Sequence, residues 1–461
     1  MNILYIGAGF VGSCSAAVSA DSGHNVLVFD IDEQKISKLG SGDRELIEQC
    51  LFEEGLAELL IRHKDRIRFT STYAEVGSFL NDCDAVFMCL PTPEIDQTGE
   101  SDLAYYNKAA LQLAGALAKR NRGAQTHYVV LVNKSTVPVE MVDHTKKIMD
   151  EAGVKNYGTV SNPEFLVEGK AIAGSLKPDR IVVGAWDEKD FAAMRILYQR
   201  FYDAPDVSYI EVNPKEAAAG KLLANFYLFN KLSVCFDVIG RTCEAFDGVK
   251  FEHIRKILIS DKRISSWGFY DSLYAGGSCF IKDARSLAHQ LQTAGANAEL
   301  VNETYLANKR QLERFMGRAE REAQFNWADK TIALVGAAFK RDTNDIRNSP
   351  SIEIMNFVLE RNIKTVQVYD PAALPMFSVE FPASEQVVYV QHEYEAIKDA
   401  DLIIIATDWP QFRGLADVVS GLEKRPLIMD GRRMLQHRYK ELQEAGFDIV
   451  AVGSPFIKAK H

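Results

Sequence analysis

Residues 2–12 read NILYIGAGFVG, and residues 25–32 read NVLVFDID. The first stretch is a short apolar run closed by Gly7, Gly9 and Gly12 in G-x-G-x-x-G spacing. The second is another apolar run that ends on Asp30, 18 residues beyond the last glycine. Small and apolar residues compatible with a helix lie between them. A glycine triplet alone is weak evidence. A strand, a glycine turn, a helix and a second strand ending in an acid together describe a dinucleotide-binding unit. The glycines let the backbone approach a pyrophosphate at the helix N-terminus. Asp30 would accept hydrogen bonds from the adenosine ribose, which favours NAD over NADP. Asp32, two residues past the apolar end of the strand, is the weaker alternative.

Further strand-like runs follow at 84–93 (DAVFMCLPTP), 127–138 (HYVVLVNKSTVP) and 157–165 (YGTVSNPEF), with helical patterns between them. This alternation predicts an open, mainly parallel sheet. Ligands of such sheets bind beyond the strand C-termini, which is where Thr92, Pro93, Ser135, Thr136 and Asn162 fall. Near residue 325 the pattern starts again. KTIALVGAAFK (330–340) parallels the opening stretch, TVQVYDP (365–371) parallels NVLVFDID, and ADLIIIATDWP (400–410) parallels CDAVFMCLPTP (83–93). Ala338 stands in the place of Gly9 and Arg341 in that of Gly12. The second copy is therefore expected to be an α/β sheet that no longer binds a dinucleotide but offers Lys340 and Arg341 to another phosphate.

Between the copies the pattern is helical. Residues 213–246 open with Asn213 as N-cap, Pro214 at the first helical position and Glu216 at the third. They then run apolar for longer than one sheet can cover, which predicts a subunit interface. The charged but amphipathic segment 309–324 (KRQLERFMGRAEREAQ) reads as a solvated connecting helix. The expected class is α/β: two Rossmann-like doubly wound sheets joined by a long central helix and a helical middle domain. The expected division is an NAD-binding domain at 1–210, a helical dimerisation domain at 211–324 and a Rossmann-like domain for the substrate at 325–461.

The net charge of −10 over 461 residues argues against nucleic acid as a partner. Seven cysteines (14, 50, 83, 89, 235, 243 and 279), none in C-x-x-C spacing, argue against a disulfide framework and a structural zinc site. The nine histidines show no H-x-x-x-H pair, and no metal is expected. The first twenty residues lack a basic start, and glycines interrupt their apolar core, unlike a signal peptide. No later stretch is expected to approach the length of a membrane span, and the expected location is cytoplasmic.

Four windows carry candidate chemistry. In AGGSCFIKDARSL (275–287), Cys279 follows two glycines and precedes a helix-like run, with Lys282 and Asp283 three and four residues on. It is either a small apolar filler in a glycine turn or a nucleophile, since a helix N-terminus and a nearby ammonium favour the thiolate. In SNPEFLVEGKAI (161–172), Asn162 and Pro163 read as a helix start that puts Glu164 and Glu168 on one face. In GKLLANF (220–226), Lys221 and Asn225 are one turn apart, and in STVP (135–138) Thr136 sits at a strand end. Each has an ordinary explanation: exposed helix charges, a snorkelling lysine, a turn threonine. Together with NAD they describe a thiolate that adds to an aldehyde, a thiohemiacetal that gives up hydride, and a thioester for water to hydrolyse. Lys221 and Asn225 suit the oxyanion. Asp283, Glu164 or Glu168 suit the proton transfers.

Taken in chain order, GAGFVG, KSTVP, SNPEFLVEGKAI, GKLLANF, GGSCFIKD, AFKRDTNDIRNSP and DGRR resemble the UDP-glucose 6-dehydrogenases, within the nucleotide-sugar dehydrogenases. The resemblance implies oxidation of UDP-glucose to UDP-glucuronate, with two NAD reduced per sugar and no release of the aldehyde. It implies Cys279 as nucleophile, Lys221 and Asn225 on the oxyanion side, and Asp283 in support of the general-base step. Thr136 would help hold the catalytic water, and Glu164 would serve thioester hydrolysis. Contacts to NAD would come from Gly7, Gly9, Phe10, Val11, Gly12, Asp30, Lys35, Thr92, Pro93, Ser135, Thr136, Glu168, Lys282 and Arg347. The UDP-sugar would meet Phe165, Leu166, Glu168, Lys221, Asn225, Tyr274, Gly276, Phe280, Phe339, Lys340 and Arg432, with Arg433 as the competitor for the last role. Arg263 would reach the sugar from the partner subunit of a homodimer.

Departures from the family pattern gather in loops. Ser265 stands where glycine is usual, Ile281 and Glu54 where proline is usual, the segment 265–277 differs widely and the segment 42–56 is longer than usual. They bear on substrate and nucleotide contacts and leave other nucleotide sugars (GDP-mannose, a UDP-N-acetylhexosamine) as alternatives. More distant alternatives are a two-electron 3-hydroxyacid-type dehydrogenase and an inactive NAD-binding scaffold.

Overall fold

The computed structural model describes residues 1–95, 98–120, 127–269 and 272–460. They form two compact units: Met1–Ala224 with His289–Gly295, and Asn225–Ala288 with the chain from Ala296 onward. In the first unit the apolar runs become β1 (Asn2–Ile6), β2 (Asn25–Phe29), β3 (Ile67–Thr70), β4 (Ala85–Met88), β5 (Val129–Asn133), β6 (Tyr157–Ser161), β7 (Arg180–Gly184) and β8 (Ser208–Val212). They lie in the order β3-β2-β1-β4-β5-β6-β7-β8. Neighbours pair parallel except β6 with β7. The order reverses between β1 and β4, and that switch point is where a sheet of this kind takes its ligand. The helix α1 (Phe10–Asp21) packs behind β1 through the small buried residues Ala16, Ala17 and Ala20.

The central helix α2 (Pro214–Val234) starts as its sequence predicts. The Glu216 amide donates to Asn213 Oδ1 (2.9 Å) and the Asn213 amide to Glu216 Oε2 (3.0 Å). A π-helical turn (Cys235–Gly240) and a last helical segment (Arg241–Ala245) extend it. One expectation is corrected here. Pro214–Ala245 runs for 32 residues and contains an 18-residue window of mean hydropathy 1.4, long and apolar enough by length and composition to cross a bilayer. Its scattered polar residues hid this length. They find partners in protein: Lys231 Nζ donates to the Ile264 carbonyl (2.8 Å) and Asn230 Nδ2 to Thr304 Oγ1 (2.8 Å).

Two further helices follow, α3 (Phe280–Thr293) and α4 (Glu299–Arg321). The second corrects the reading of 309–324 as a solvated connector. It starts ten residues earlier, and Gln311, Leu312, Phe315, Met316, Arg318 and Ala319 are all buried. The amphipathic pattern showed the stripe, but the high charge count hid how deeply it is buried. Its one buried cation, Arg318, donates to the carbonyls of Ala451 (2.7 Å) and Ser454 (2.9 Å) and pairs with Glu322.

The second unit repeats the first sheet. Strands β9 (Thr331–Val335), β10 (Thr365–Tyr369), β11 (Val387–Tyr389), β12 (Leu402–Ile405), β13 (Leu427–Asp430) and β14 (Ile449–Ala451) pair parallel in the order β11-β10-β9-β12-β13-β14. Gly336 after β9 has φ +102°, matching φ +103° at Gly7. The parallel then breaks. No helix begins at 338; the next, α5, is Pro350–Leu359, with Ser349 as its cap. Arg341 therefore lies in a loop and does not fill the place of Gly12. Ser351 comes closer to that role, bonding its hydroxyl to the Gly336 carbonyl (2.7 Å). Asp370, the counterpart of Asp30, is fully engaged: amides of Ala337, Ala338, Ala372 and Ala373 and the Trp409 indole all donate to it.

Candidate active site

The glycine loop divides its work among three residues. Gly7 needs its positive φ, and a Cβ there would lie 2.2 Å from the Cys89 carbonyl oxygen. A Cβ on Gly12 would lie 1.9 Å from the Gly7 carbonyl oxygen, so only glycine lets α1 pack so close. Around Gly9 no heavy atom lies within 4 Å of a Cβ position. That open space, at a helix N-terminus with no side-chain cap, fits a dinucleotide pyrophosphate. Phe10 and Val11 pack on the core below. Asp30 faces the loop, accepting from the Ala8 amide (2.7 Å) with Lys35 Nζ 3.6 Å away. Asp32 instead caps the next helix through the Lys35 amide (3.0 Å). Replacing Gly12 with alanine is expected to raise the Kd for NAD at least ~10-fold and cost about 2 kcal/mol of stability, as measured by NAD titration and thermal unfolding.

The loops after β4 and β5 close the same edge. Thr92 Oγ1 donates to the Thr136 carbonyl (2.8 Å), and Ser135 Oγ bonds both the Leu90 amide and carbonyl (2.8 and 2.7 Å). Pro93 is exposed beside them.

The segment after β6 corrects the predicted helix start. Residues 162–167 form neither helix nor strand. Asn162 caps nothing, because its side chain is used over long range: it donates to the Val182 carbonyl (2.7 Å) and accepts from Lys134 Nζ (3.1 Å) and the Tyr198 hydroxyl (2.6 Å). Glu164 and Glu168 therefore do not share a helix face. Glu164 lies 3.0 Å from Lys134 Nζ and accepts from the Phe165 amide (2.8 Å). Burial pushes the Glu164 carboxyl up, but Lys134, Lys221 and the Phe165 amide together outweigh it and hold the group below the usual glutamate range. Lys134 is buried and was not singled out from the sequence. Its place directly before S-T-V-P, at a strand end beside the ligand edge, was the available signal. The Phe165 ring has Arg180 3.9 Å and buried Lys221 5.1 Å from its centroid, and Leu166 packs on the core.

In the second unit, Cys279 occupies the cap position of α3, its carbonyl accepting from the Asp283 amide (2.9 Å). It is the exposed cysteine of the seven, and none of the seven is in a disulfide. Asp283 is buried, held by Lys282 Nζ (2.5 Å) on one oxygen and Asn225 Nδ2 (2.6 Å) on the other. A carboxylate bound at both oxygens orients its partners more than it takes protons itself. Phe280 stacks on Phe229 at 6.2 Å. The two glycines before the cysteine are forced by the 339–348 loop. A Cβ on Gly276 would meet the Asn348 carbonyl oxygen at 2.4 Å, and one on Gly277 the Phe339 ring at 2.8 Å. Tyr274 is buried, Lys340 is half-buried with its ammonium 5.6 Å from the Phe339 ring centroid, and Arg347 pairs with Asp345 (2.6 Å).

The two arginines of DGRR diverge. Arg432 reaches Ser272 Oγ and Asp408 Oδ1, both at 2.6 Å. Arg433, in the left-handed region at φ +49°, anchors to the Val452 and Gly453 carbonyls and pairs with Glu252. Arg263 is 88% exposed and, among the described residues, pairs only locally, with Asp261. Ser265 sits at φ +64°, a conformation that explains why glycine would suit this position. Of the divergent loop 265–277, Tyr270 and Asp271 lie outside the described residues.

Comparison with known proteins adds to this geometry. Descriptions of one family match along the chain: its NAD binding domain over residues 1–202, its central domain over 215–310 and its UDP binding domain over 333–437. A UDP-glucose 6-dehydrogenase of Pseudomonas aeruginosa is 30% identical over 99% of this chain and 98% of its own length. The chain belongs to the UDP-glucose/GDP-mannose dehydrogenase family. The UDP-glucose 6-dehydrogenase TuaD of Bacillus subtilis is 33% identical over 99% of this chain and 94% of its own. Among solved structures, a UDP-glucose dehydrogenase from Pyrobaculum islandicum superposes with a TM-score of 0.83 at 29% identity, covering 95% of each chain. As a member of this family the chain is a dehydrogenase, NAD is its cofactor, and its substrate carries UDP.

Proposed function

We propose that this dehydrogenase oxidises UDP-glucose to UDP-glucuronate, with two NAD reduced per sugar, through acyl intermediates on Cys279. The observation that carries the reading is an exposed cysteine at the cap position of α3, four residues before Asp283, which is buried with Asn225 and paired with Lys282. NAD, held by the glycine loop and Asp30, supplies the hydride acceptor. Cys279 Sγ adds to the C6 aldehyde, and the thiohemiacetal and then the thioester form on this sulfur. Water cleaves the thioester and returns the thiolate. Lys221 and Asn225, one turn apart on α2, stabilise the oxyanion. Asp283 keeps Asn225 and Lys282 oriented, Glu164 serves the hydrolytic step, and Thr136 holds its water. Full-length relatives named UDP-glucose 6-dehydrogenase support the sugar. Incubation with excess NAD and UDP-glucose, GDP-mannose or a UDP-N-acetylhexosamine tests it. UDP-glucose is expected to give the highest kcat/KM; a higher value for another sugar overturns the choice.

The reading includes a homodimer in the cytoplasm and three functional segments at 1–210, 211–324 and 325–461. Leu223, Tyr227, Val234 and Val238 leave an exposed apolar stripe along α2 and its extension, which supports pairing of two central helices. Seven cysteines with no disulfide among them suit a reducing compartment. Arg263, exposed and paired with the nearby Asp261, reaches the partner's sugar. R263A is therefore expected to lower kcat/KM about 100-fold, and mixing it with C279A is expected to restore activity, because one of the two sites in a mixed dimer is intact. No recovery on mixing would mean Arg263 acts within its own subunit.

A further inference from the structure

The stretch 42–56, longer than is usual in the family, contains a buried acid that the proposed chemistry does not use. Glu53 is 4% exposed, and both its oxygens are committed: Oε2 accepts from the Gly169 amide (2.8 Å) and Oε1 from the Ala171 amide (2.6 Å). These amides end the irregular segment 162–170 and start the short helix Ala171–Leu176. Gly169 needs φ +81°, so the chain turns sharply at the point where Glu53 grips it. Gly55, at φ +83°, turns the 53–56 chain against Ile172, whose Cγ2 lies 3.2 Å from a Cβ position on that glycine.

We propose that Glu53 is a positioning residue that holds the segment bearing Glu164, Phe165, Leu166 and Glu168 in its working shape through the Gly169 and Ala171 amides. The argument rests on the reading of those residues given above. A loop without regular backbone bonding keeps its shape only through side-chain anchors, and a charged acceptor on two amides is among the stronger ones. The nearby Cys14 thiol shows how tightly the acids gather. Burial pushes its pKa well up, and Glu53, Glu164 and Glu168 each add to the rise.

Glu53→Gln keeps the volume but places an amide N–H where a backbone N–H must be accepted. Glu54→Gln, at the exposed neighbouring position, is the control. Glu53→Asp, which keeps the charge but shortens its reach, gives a second variant should E53Q fold poorly. Two readouts are taken well below the unfolding temperature: kcat with both KM values, and amide hydrogen exchange over 164–171 without substrates. E53Q is expected to speed exchange at Gly169 and Ala171 and lower kcat/KM for UDP-glucose at least ~10-fold, with E53D between and E54Q unchanged. Unchanged exchange overturns the anchor. Faster exchange with kcat and both KM values intact overturns the positioning role, leaving Glu53 as fold support. Absence of turnover in the unsubstituted chain would strike the functional reading instead, and the exchange arm would still decide the anchor.

Discussion

Replacing Cys279 with alanine is expected to cut kcat for the four-electron oxidation at least ~10³-fold while leaving the thermal midpoint almost unchanged. The stability expectation follows from exposure: removing a surface thiol leaves no cavity, and the cap contact at Cys279 is made by its backbone carbonyl. The kinetic expectation follows from the chemistry. Oxidising an alcohol to an aldehyde needs no covalent carrier, but carrying the aldehyde to an acid without releasing it does. C279A should therefore retain at most a slow first oxidation, yielding no more than one NADH per sugar with aldehyde as product. Unimpaired turnover to the acid would remove Cys279 from the mechanism.

Lys134→Met should have the second-largest effect. Lys134 and Glu164 form a largely buried pair at 3.0 Å, and removing one member of such a pair costs about 3–5 kcal/mol because the other is left charged without its partner. The pH dependence has a definite sign. The folded-state pKa of Glu164 is lowered, so its ionisation stabilises the fold above the ordinary glutamate pKa of about 4.3, and that contribution is lost as pH falls through the lower folded value. In K134M the burial that pushes the carboxyl up is opposed by less charge, and its pKa rises. The stability gap between the two proteins should be widest near neutral pH and close on acidification, once Glu164 is protonated in both. The acid limb of the pH–rate profile should move upward in parallel. Urea titrations across pH check the first statement and kcat profiles the second; identical curves for both proteins would contradict the assignment.

What could be read from the sequence followed how local the determinants are. The dinucleotide loop was legible because Gly7, Gly9, Gly12 and Asp30 satisfy constraints within one strand–turn–helix unit. The second sheet was legible because its strands repeat the first set in order. Cys279 was placed correctly at a helix start because two glycines and an apolar run flank it. Long-range interactions escaped. Asn162 and Pro163 satisfy local rules for a helix start, yet Val182, Lys134 and Tyr198 take the Asn162 side chain, and the segment stays irregular. Lys134 and Glu53 look like surface charges until folding brings them partners 30 and 116 or more residues away. The 309–324 stretch misled for a related reason: Arg318 is buried because carbonyls at the far end of the chain accept its donors.

The account stands most directly on one number, the yield of NADH per UDP-glucose at completion with purified protein and excess NAD. Two NADH per sugar, with UDP-glucuronate as product, is the predicted result. A yield of one would contradict the account, because it would mean a two-electron oxidation in which Cys279 carries no acyl group.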